Sequence, residues 1–316
     1  MKVLVTPTSL SRTPEDPALR RIREAGADVV LNPHGRPLSE AELIALIADV
    51  DGVVAGLDDY TARVIAAAPR LTVISRYGVG TDRVDLEAAR AAGVVVTNAP
   101  GANSQSVAEL TVGLMFAVAR RIPRLDAAVA AGDWPRADGV ELGGRRLGVI
   151  GLGEIGRQVA RAGAGLGMEV HGCDPALDDD RIRELGIVPG SVDEVCRRAD
   201  VLSLHVPLTP RTRHLVDARR LDLLPDGAIV VNTARGGLLD EQAAHAALEE
   251  GRLHGVAVDA YETEPPRESP LIGHPRVVAT PHTGAHTAEA VHRMAQAAVG
   301  NLLDVLQGRD CRHRVV

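Results

Sequence analysis

Along the first hundred residues, short runs of β-branched and other apolar residues alternate with segments of helical periodicity. The runs Lys2 to Val5, Asp28 to Leu31, Gly52 to Ala55, Thr72 to Ser75 and Val94 to Thr97 predict strands. Between them, Ser39-Glu40-Ala41-Glu42 has the form of a capping box, in which the Ser39 hydroxyl and the Glu42 carboxylate satisfy N–H groups left free at a helix start. Strand and helix in alternation predict a parallel sheet, because parallel neighbours need a crossover between them.

From Ser104 to Arg121 the pattern changes. Val107, Leu110, Leu114 and Val118 recur at helical spacing without Pro or a glycine cluster, which predicts one long helix. Gly132-Asp133-Trp134-Pro135 and Gly143-Gly144 read as loop. A second βαβ series follows, with strands predicted at Arg146 to Ile150, Glu169 to Cys173, Val201 to Leu204, Ala228 to Val231, Gly255 to Val258 and Val277 to Ala279. A final helix is predicted over Ala288 to Leu306, and periodicity alone leaves open whether it returns to the first α/β unit.

Composition fits this picture. A chain of 316 residues, 45% hydrophobic and 24% charged, is long enough for two soluble α/β domains. With one Phe, one Trp and three Tyr, its core must be built from Val, Leu, Ile and Ala. A formal charge of −7 argues against nucleic-acid or membrane-surface partners, which require a concentrated positive field. Cys173, Cys196 and Cys311 have no metal-ligand spacing and make no even disulfide set, so no metal is expected and a reducing, cytoplasmic setting is. The opening MKVLVTPTSL has too short an apolar run for a secretory signal, and no stretch approaches a membrane span.

The first chemical signal is Gly151-Leu152-Gly153-Glu154-Ile155-Gly156. Such a hexapeptide alone is often an ordinary strand-to-helix turn, but here it follows the predicted strand Leu147 to Ile150 and opens the helical run Arg157 to Leu166. In that context Gly151 permits the turn, Gly153 lets a pyrophosphate approach the backbone and Gly156 lets helix and strand pack closely. Asp174 ends the next strand, placed for a carboxylate to accept both ribose hydroxyls. Asp174 and the run Asp178, Asp179 and Asp180, with no adjacent Arg, would repel a 2′-phosphate, so NAD is favoured over NADP.

Three more segments follow strands directly, at the edge where open α/β sheets bind ligands. Each contributes one candidate: Arg235 in Asn232 to Gly237, Glu264 in Asp259 to Pro266, and His282 in Thr280 to Gly284. Arg235 carries a permanent charge in a fork suited to a carboxylate, and Gly236-Gly237 beside it reads as backbone left open for close approach. Its plain reading is a surface ion pair. His282 suits proton transfer near neutral pH, although a single loop histidine is more often structural. Glu264 as partner of its other nitrogen would stabilise the imidazolium, a contact that spacing alone does not establish.

Taken together, Arg76 to Asp82, Asn98 to Ser104, Ala108-Glu109, the glycine loop, His205 to Leu208, Thr233 to Asp240, Asp259 and Pro281-His282 resemble the D-isomer-specific 2-hydroxyacid dehydrogenase family over nearly the whole chain, and within it the D-3-phosphoglycerate dehydrogenase branch. The resemblance implies Arg235, Glu264 and His282 as the catalytic trio. Gly78, Val79, Gly80 and Asn103 would receive a small anionic substrate, with Arg76 as a further candidate. Glu154, Ile155, Asp174, Val206, Pro207, Thr233, Ala234, Arg235, Asp259, His282, Gly284 and Ala285, with the three glycines, would bind NAD, Asp259 through the nicotinamide amide. It further implies a Rossmann NAD-binding domain, 99–285, inserted into a flavodoxin-like substrate domain, 1–98 and 286–316, a cleft that closes by hinging, and a homodimer with contacts from the nucleotide domain.

Departures from the family qualify this. The stretch Ala55 to Tyr60 offers Asp58 and Asp59 where the phosphoglycerate branch has a basic residue for the phosphate, which puts a phosphorylated substrate in doubt. Tyr261 stands where the family often has Phe, a change read as mild. No regulatory segment is expected after Val316. Alternatives are dehydrogenation of a phosphonate or related oxyanion, with Arg76 as anion contact, or NAD sensing without turnover, since the family also resembles transcriptional corepressors. His205 reads as scaffold at the adenine site, Cys173 as a small buried hydrophobe, and Trp134 as loop packing or cover for a partner's cleft. The tail Cys311 to Arg314 reads as a loose end.

Overall fold

The computed structural model describes residues 1–316 and divides them into two compact units, Met1–Asn103 with His286–Val316, and Ser104–Ala285. The first unit is built on strands β1 (Lys2–Val5), β2 (Asp28–Leu31), β3 (Gly52–Ala55), β4 (Val73–Arg76) and β5 (Val95–Thr97), all parallel in the order β2-β1-β3-β4-β5. This is the flavodoxin-like doubly wound order, whose ligand crevice lies at the carboxyl edge where the winding reverses. Successive strand residues serve opposite faces. Leu4 joins a core with Leu43, Ile47, Val64 and Ile74, whereas Val3 and Val5 join another with Leu19, Ile22, Val299 and Leu302. The Ser39 capping box forms as its sequence predicts.

The helix Ala288–Leu306 belongs to this unit. Ala295, Ala298, Val299 and Leu302 are fully buried in its core, and Ser75 Oγ donates to the Ala298 carbonyl at 2.7 Å. Each fully buried leucine contributes about 1.5–3 kcal/mol by leaving water, so the returning helix is a main support of the sheet. The tail is no loose end. Val96 and Asn98 donate to the carbonyls of Val316 and His313, Val315 donates to that of Val96, and an antiparallel bridge joins Thr97 to Arg314. Cys311 is buried.

The second unit carries β6 (Arg146–Ile150), β7 (Glu169–Cys173), β8 (Val188–Pro189), β9 (Val201–Leu204), β10 (Ala228–Asn232), β11 (Leu253–Val258) and β12 (Val277–Ala279), again all parallel, in the order β12-β11-β10-β9-β6-β7-β8. Counted from β6, this is the Rossmann order 3-2-1-4-5-6 with one strand added. One face packs on the helix Ser104–Ala119 through Met115, Leu147, Val149 and Val231. The other is covered through Val195, Leu202, Val230 and Leu248.

Beyond shifts of one to three residues at strand and helix ends, the structure departs from the sequence reading in the unit junction, one helix end and one added strand. The first junction falls at Asn103/Ser104: Ala99 N donates to Gly78 O at 2.8 Å, the Asn98 side chain donates to Val79 O at 2.9 Å and Arg293 Nε donates to Ala102 O at 2.8 Å, which ties residues 98–102 to the first unit. The predicted helix to Arg121 stops at Ala119. Arg121 has φ 55°, and a separate helix, Ile122–Ala130, follows with none of its side chains buried. The two-residue β8 was not predicted. No helix is long and apolar enough to cross a membrane, and no group of three or more His, Cys, Asp or Glu residues is arranged to hold a metal ion.

Candidate active site and cofactor cradle

Because every strand of the second sheet runs the same way, the segments after β6, β7, β9, β10, β11 and β12 share its carboxyl edge. That edge collects the glycine loop, Asp174, Val206-Pro207, Thr233 to Arg235, Asp259 to Glu264 and Thr280 to Ala285.

Gly151 turns with φ 97°, in the left-handed region, and a Cβ there would lie 2.6 Å from the His205 carbonyl. A Cβ on Gly156 would lie 1.9 Å from the Gly151 oxygen, so helix and loop meet only as glycine. At Gly153 a Cβ would meet nothing within 4 Å. Gly153 is the N-cap of the helix Glu154–Gly165 and gives it no side-chain cap, so no side-chain cap occupies the N–H groups of the first turn. This cradle fits a pyrophosphate. Asp174 accepts from Leu152 N at 2.8 Å and from Ala176 N at 2.9 Å, a half-buried carboxylate fixed beside the loop. The neighbouring acids are less isolated than the sequence reading had them, since Asp179 and Asp180 pair with Arg183 on their own helix. The case against a 2′-phosphate therefore rests on Asp174.

His205 is scaffold. Its Nε2 lies 2.8 Å from Ser203 Oγ, and burial pushes the imidazole down to about 3, leaving it neutral. Burial also pushes the Cys173 thiol up to about 12, so it stays protonated at neutral pH.

The turn at Arg235 is held by Asn232, whose side chain accepts from Ala234 N at 3.1 Å and donates to Arg235 O at 2.8 Å. Thr233 pairs with Thr111 at 2.7 Å between hydroxyls, and Arg235 Nη1 donates to Ala234 O at 2.7 Å. Gly236 does allow a close approach, but to this chain itself. A Cβ there would lie 1.7 Å from the carbonyl carbon of Tyr261.

His282 Nδ1 and Glu264 Oε1 are 2.7 Å apart, with both side chains partly exposed. A carboxylate only accepts, so Nδ1 carries the hydrogen and Nε2 is left to exchange a proton. His282 itself has φ 50°, a left-handed conformation that few side-chain-bearing residues adopt. Asp259, fully buried, organises this loop by accepting from Thr280 Oγ1 at 2.6 Å, Thr283 N at 2.8 Å and Gly284 N at 2.8 Å. Ser106 Oγ donates to Gly284 O at 2.6 Å. Asn232, Thr280, Ser106 and Thr111 were missed in the sequence. An Asn directly after a strand, as an Asx turn, was the one readable signal.

In the first unit, Gly78 has φ 146°, which a side chain would strain, and Val79 is exposed. Asn103 Oδ1 has no hydrogen-bond partner. Arg76, the further substrate candidate, is held from inside the first unit. It is 4% exposed and donates from Nε to Gly80 O and from Nη1 to Ala55 O, both at 2.9 Å, so two of its donors shape the turn from Gly78 to Gly80. Asp58 is also buried, accepts from the Thr6 hydroxyl and from Leu38 N, and is raised above the usual carboxylate range by that burial. Asp59 pairs with Arg83 at 3.0 Å.

Comparison with known proteins agrees with this architecture. Residues 112–284 match the profile of the D-isomer specific 2-hydroxyacid dehydrogenase, NAD binding domain. The chain is 44% identical over 275 residues to the D-3-phosphoglycerate dehydrogenase of Methanocaldococcus jannaschii, covering 86% of this chain and 52% of that protein. It spans about half the length of the curated relatives it matches. Among solved structures, the TT0316 protein of Thermus thermophilus superposes with a TM-score of 0.89 at 39% identity over all of both chains. A D-lactate dehydrogenase from Aquifex aeolicus, complexed with NAD and lactic acid, gives 0.84 at 27% identity over 97% of this chain and 96% of that one. The chain therefore belongs to the D-isomer-specific 2-hydroxyacid dehydrogenase family, and its second unit is the NAD-binding domain of that family.

Proposed function

We propose that the protein is an NAD-dependent dehydrogenase that interconverts a small 2-hydroxy acid and its 2-oxo acid. The observation that carries this reading is the 2.7 Å pair of His282 and Glu264 on the sheet edge that bears the glycine cradle. NAD, when bound, supplies the hydride acceptor for oxidation and, reduced, the donor for the reverse. Its pyrophosphate would lie on Gly153, Glu154 and Ile155 and its ribose on Asp174, with Val206, Pro207, Thr233, Ala234, Gly284 and Ala285 bordering it. Asp259 would meet the nicotinamide amide as a fourth donor to its carboxylate.

In the reductive direction, His282 with both nitrogens protonated gives its Nε2 proton to the carbonyl oxygen as the carbon gains hydride. In oxidation, neutral His282 takes that proton back. Glu264 offsets the imidazolium charge in either direction. Arg235 grips the substrate carboxylate and polarises the carbonyl. Gly78, Val79, Gly80 and Asn103 are the substrate-binding candidates of the first unit. Asp58 is buried within its own hydrogen bonds and Asp59 is paired with Arg83, so this stretch presents no unpaired acid against a phosphorylated substrate. The complete His282–Glu264 pair favours turnover over NAD sensing alone, and Arg76, buried with two donors on backbone carbonyls, is the weaker basis for a phosphonate substrate.

The purified protein should oxidise NADH with at least one of pyruvate, glyoxylate, hydroxypyruvate and 3-phosphohydroxypyruvate. Failure with a broad panel of 2-oxo acids would overturn the reading.

A homodimer fits the exposed apolar side chains of the second unit: Ile122 and Val129 are about half exposed and Trp134 is 77% exposed. That exposure excludes plain packing of Trp134 within the chain. Sedimentation of the wild type against Val129→Glu would test it. A cytoplasmic setting fits the three unpaired cysteines.

A further inference from the structure

His282 holds a backbone conformation that a side-chain-bearing residue seldom adopts unaided, with φ 50°. Its N–H donates to the Thr280 carbonyl at 3.0 Å, so the turn that aims the imidazole is built on that one oxygen. The same oxygen accepts the Tyr261 hydroxyl at 2.7 Å. Tyr261 Oη lies 3.3 Å from the Val258 carbonyl as well, and the ring is 7% exposed. Burial pushes the phenol up to about 12, so it keeps its proton under ordinary conditions.

Tyr261 also meets the other two catalytic segments. Gly236, beside Arg235, packs against the Tyr261 carbonyl so closely that no side chain fits between them. The Tyr261 N–H points to Glu264 Oε1 at 3.4 Å, the oxygen that pairs with His282. One residue thus touches the arginine turn through its backbone, the glutamate through its amide and the histidine turn through its hydroxyl.

We propose that the Tyr261 hydroxyl is a positioning group for proton transfer, holding the Thr280 carbonyl so that the left-handed turn at His282 aims Nδ1 at Glu264. This rests on the reading of His282 as the proton-transfer group. Tyr261 is placed to act through the loop, as a positioning residue rather than a catalytic one. A ring that merely fills space would work equally well as phenylalanine.

Tyr261→Phe removes the hydroxyl and keeps the ring. Two measurements separate positioning from packing. In proton NMR of the NAD-bound protein, the His282 Nδ1–H resonance, identified by its loss in His282→Gln, should shift or broaden in Y261F; an unchanged resonance would overturn the proposal. In steady-state kinetics, Y261F should lower kcat about tenfold with KM for NAD within about twofold, and should add no further loss to His282→Gln. An equal loss on both backgrounds, or none on either, would also overturn it. Absence of turnover in the wild type would instead sink the dehydrogenase reading, and the NMR result would still decide whether Tyr261 sets the histidine.

Discussion

Asp174 accepts the backbone N–H of Leu152 at 2.8 Å, so the carboxylate proposed for the ribose is oriented by the glycine loop that would hold the pyrophosphate. Two parts of one ligand would thereby be read by a single connected element. Asp174→Ala should weaken NAD binding about 10- to 100-fold, the scale of one or two charge-assisted hydrogen bonds, and narrow the preference over NADP. Asp174→Asn, which still accepts from Leu152, should lose less. Calorimetric titration of both variants with each nucleotide checks this, and equal losses would show that orienting the loop is unimportant.

Gly153 and Gly156 separate ligand space from packing space. Gly153→Ala meets no atom of the chain, so its melting temperature should stay within a few degrees of wild type while NAD affinity falls at least tenfold. Gly156→Ala drives a methyl group into the Gly151 carbonyl and should destabilise the second unit by about 2 kcal/mol or more. Thermal unfolding with and without NAD distinguishes them.

The acid/base pair predicts a graded loss. His282→Gln should cost roughly 100- to 10,000-fold in kcat, the usual worth of a positioned proton donor. Glu264→Gln keeps the size and an acceptor oxygen but removes the charge, and about 10- to 100-fold is expected. Initial rates at saturating NADH test both, and a Glu264→Gln protein with wild-type kcat would remove Glu264 from the mechanism.

Acid stability has an identifiable contributor in Asp200. The bidentate Arg146 guanidinium, at 2.9 and 3.1 Å, together with Arg146 N at 2.8 Å, holds its carboxyl below the ordinary value. The unfolded chain therefore takes up the proton first as pH falls. The stabilisation is present at neutral pH and is lost as pH drops through about 3.8 towards the lower folded value. Asp200→Asn should lower stability by about 1–2 kcal/mol at neutral pH and by little once the carboxyl is protonated. Urea midpoints across that range check the sign.

The strands were legible because both faces of a parallel sheet are covered, which leaves near-continuous apolar runs such as Val73 to Ser75 and Val201 to Leu204. The break at Arg121 was not, since its left-handed turn is made without a glycine. Candidate chemistry was readable where one side chain follows a strand, as at Arg235 and His282. What supports those residues acts through tertiary bonds to backbone carbonyls, and a hydroxyl such as that of Tyr261 leaves no spacing to detect. Arg76 shows the converse. A cation conspicuous in sequence is folded inward, where its donors hold Ala55 and Gly80.

The last residues run antiparallel beside β5 at the end of an otherwise parallel sheet, and their hydrogen bonds with Val96 and Asn98 occupy backbone groups that would otherwise face outward. A bare strand edge is a template on which another chain can lay down a strand. Residues His313 to Val316 thus act as a selvedge, and shortening the chain there would leave the first unit prone to self-association even with its core intact.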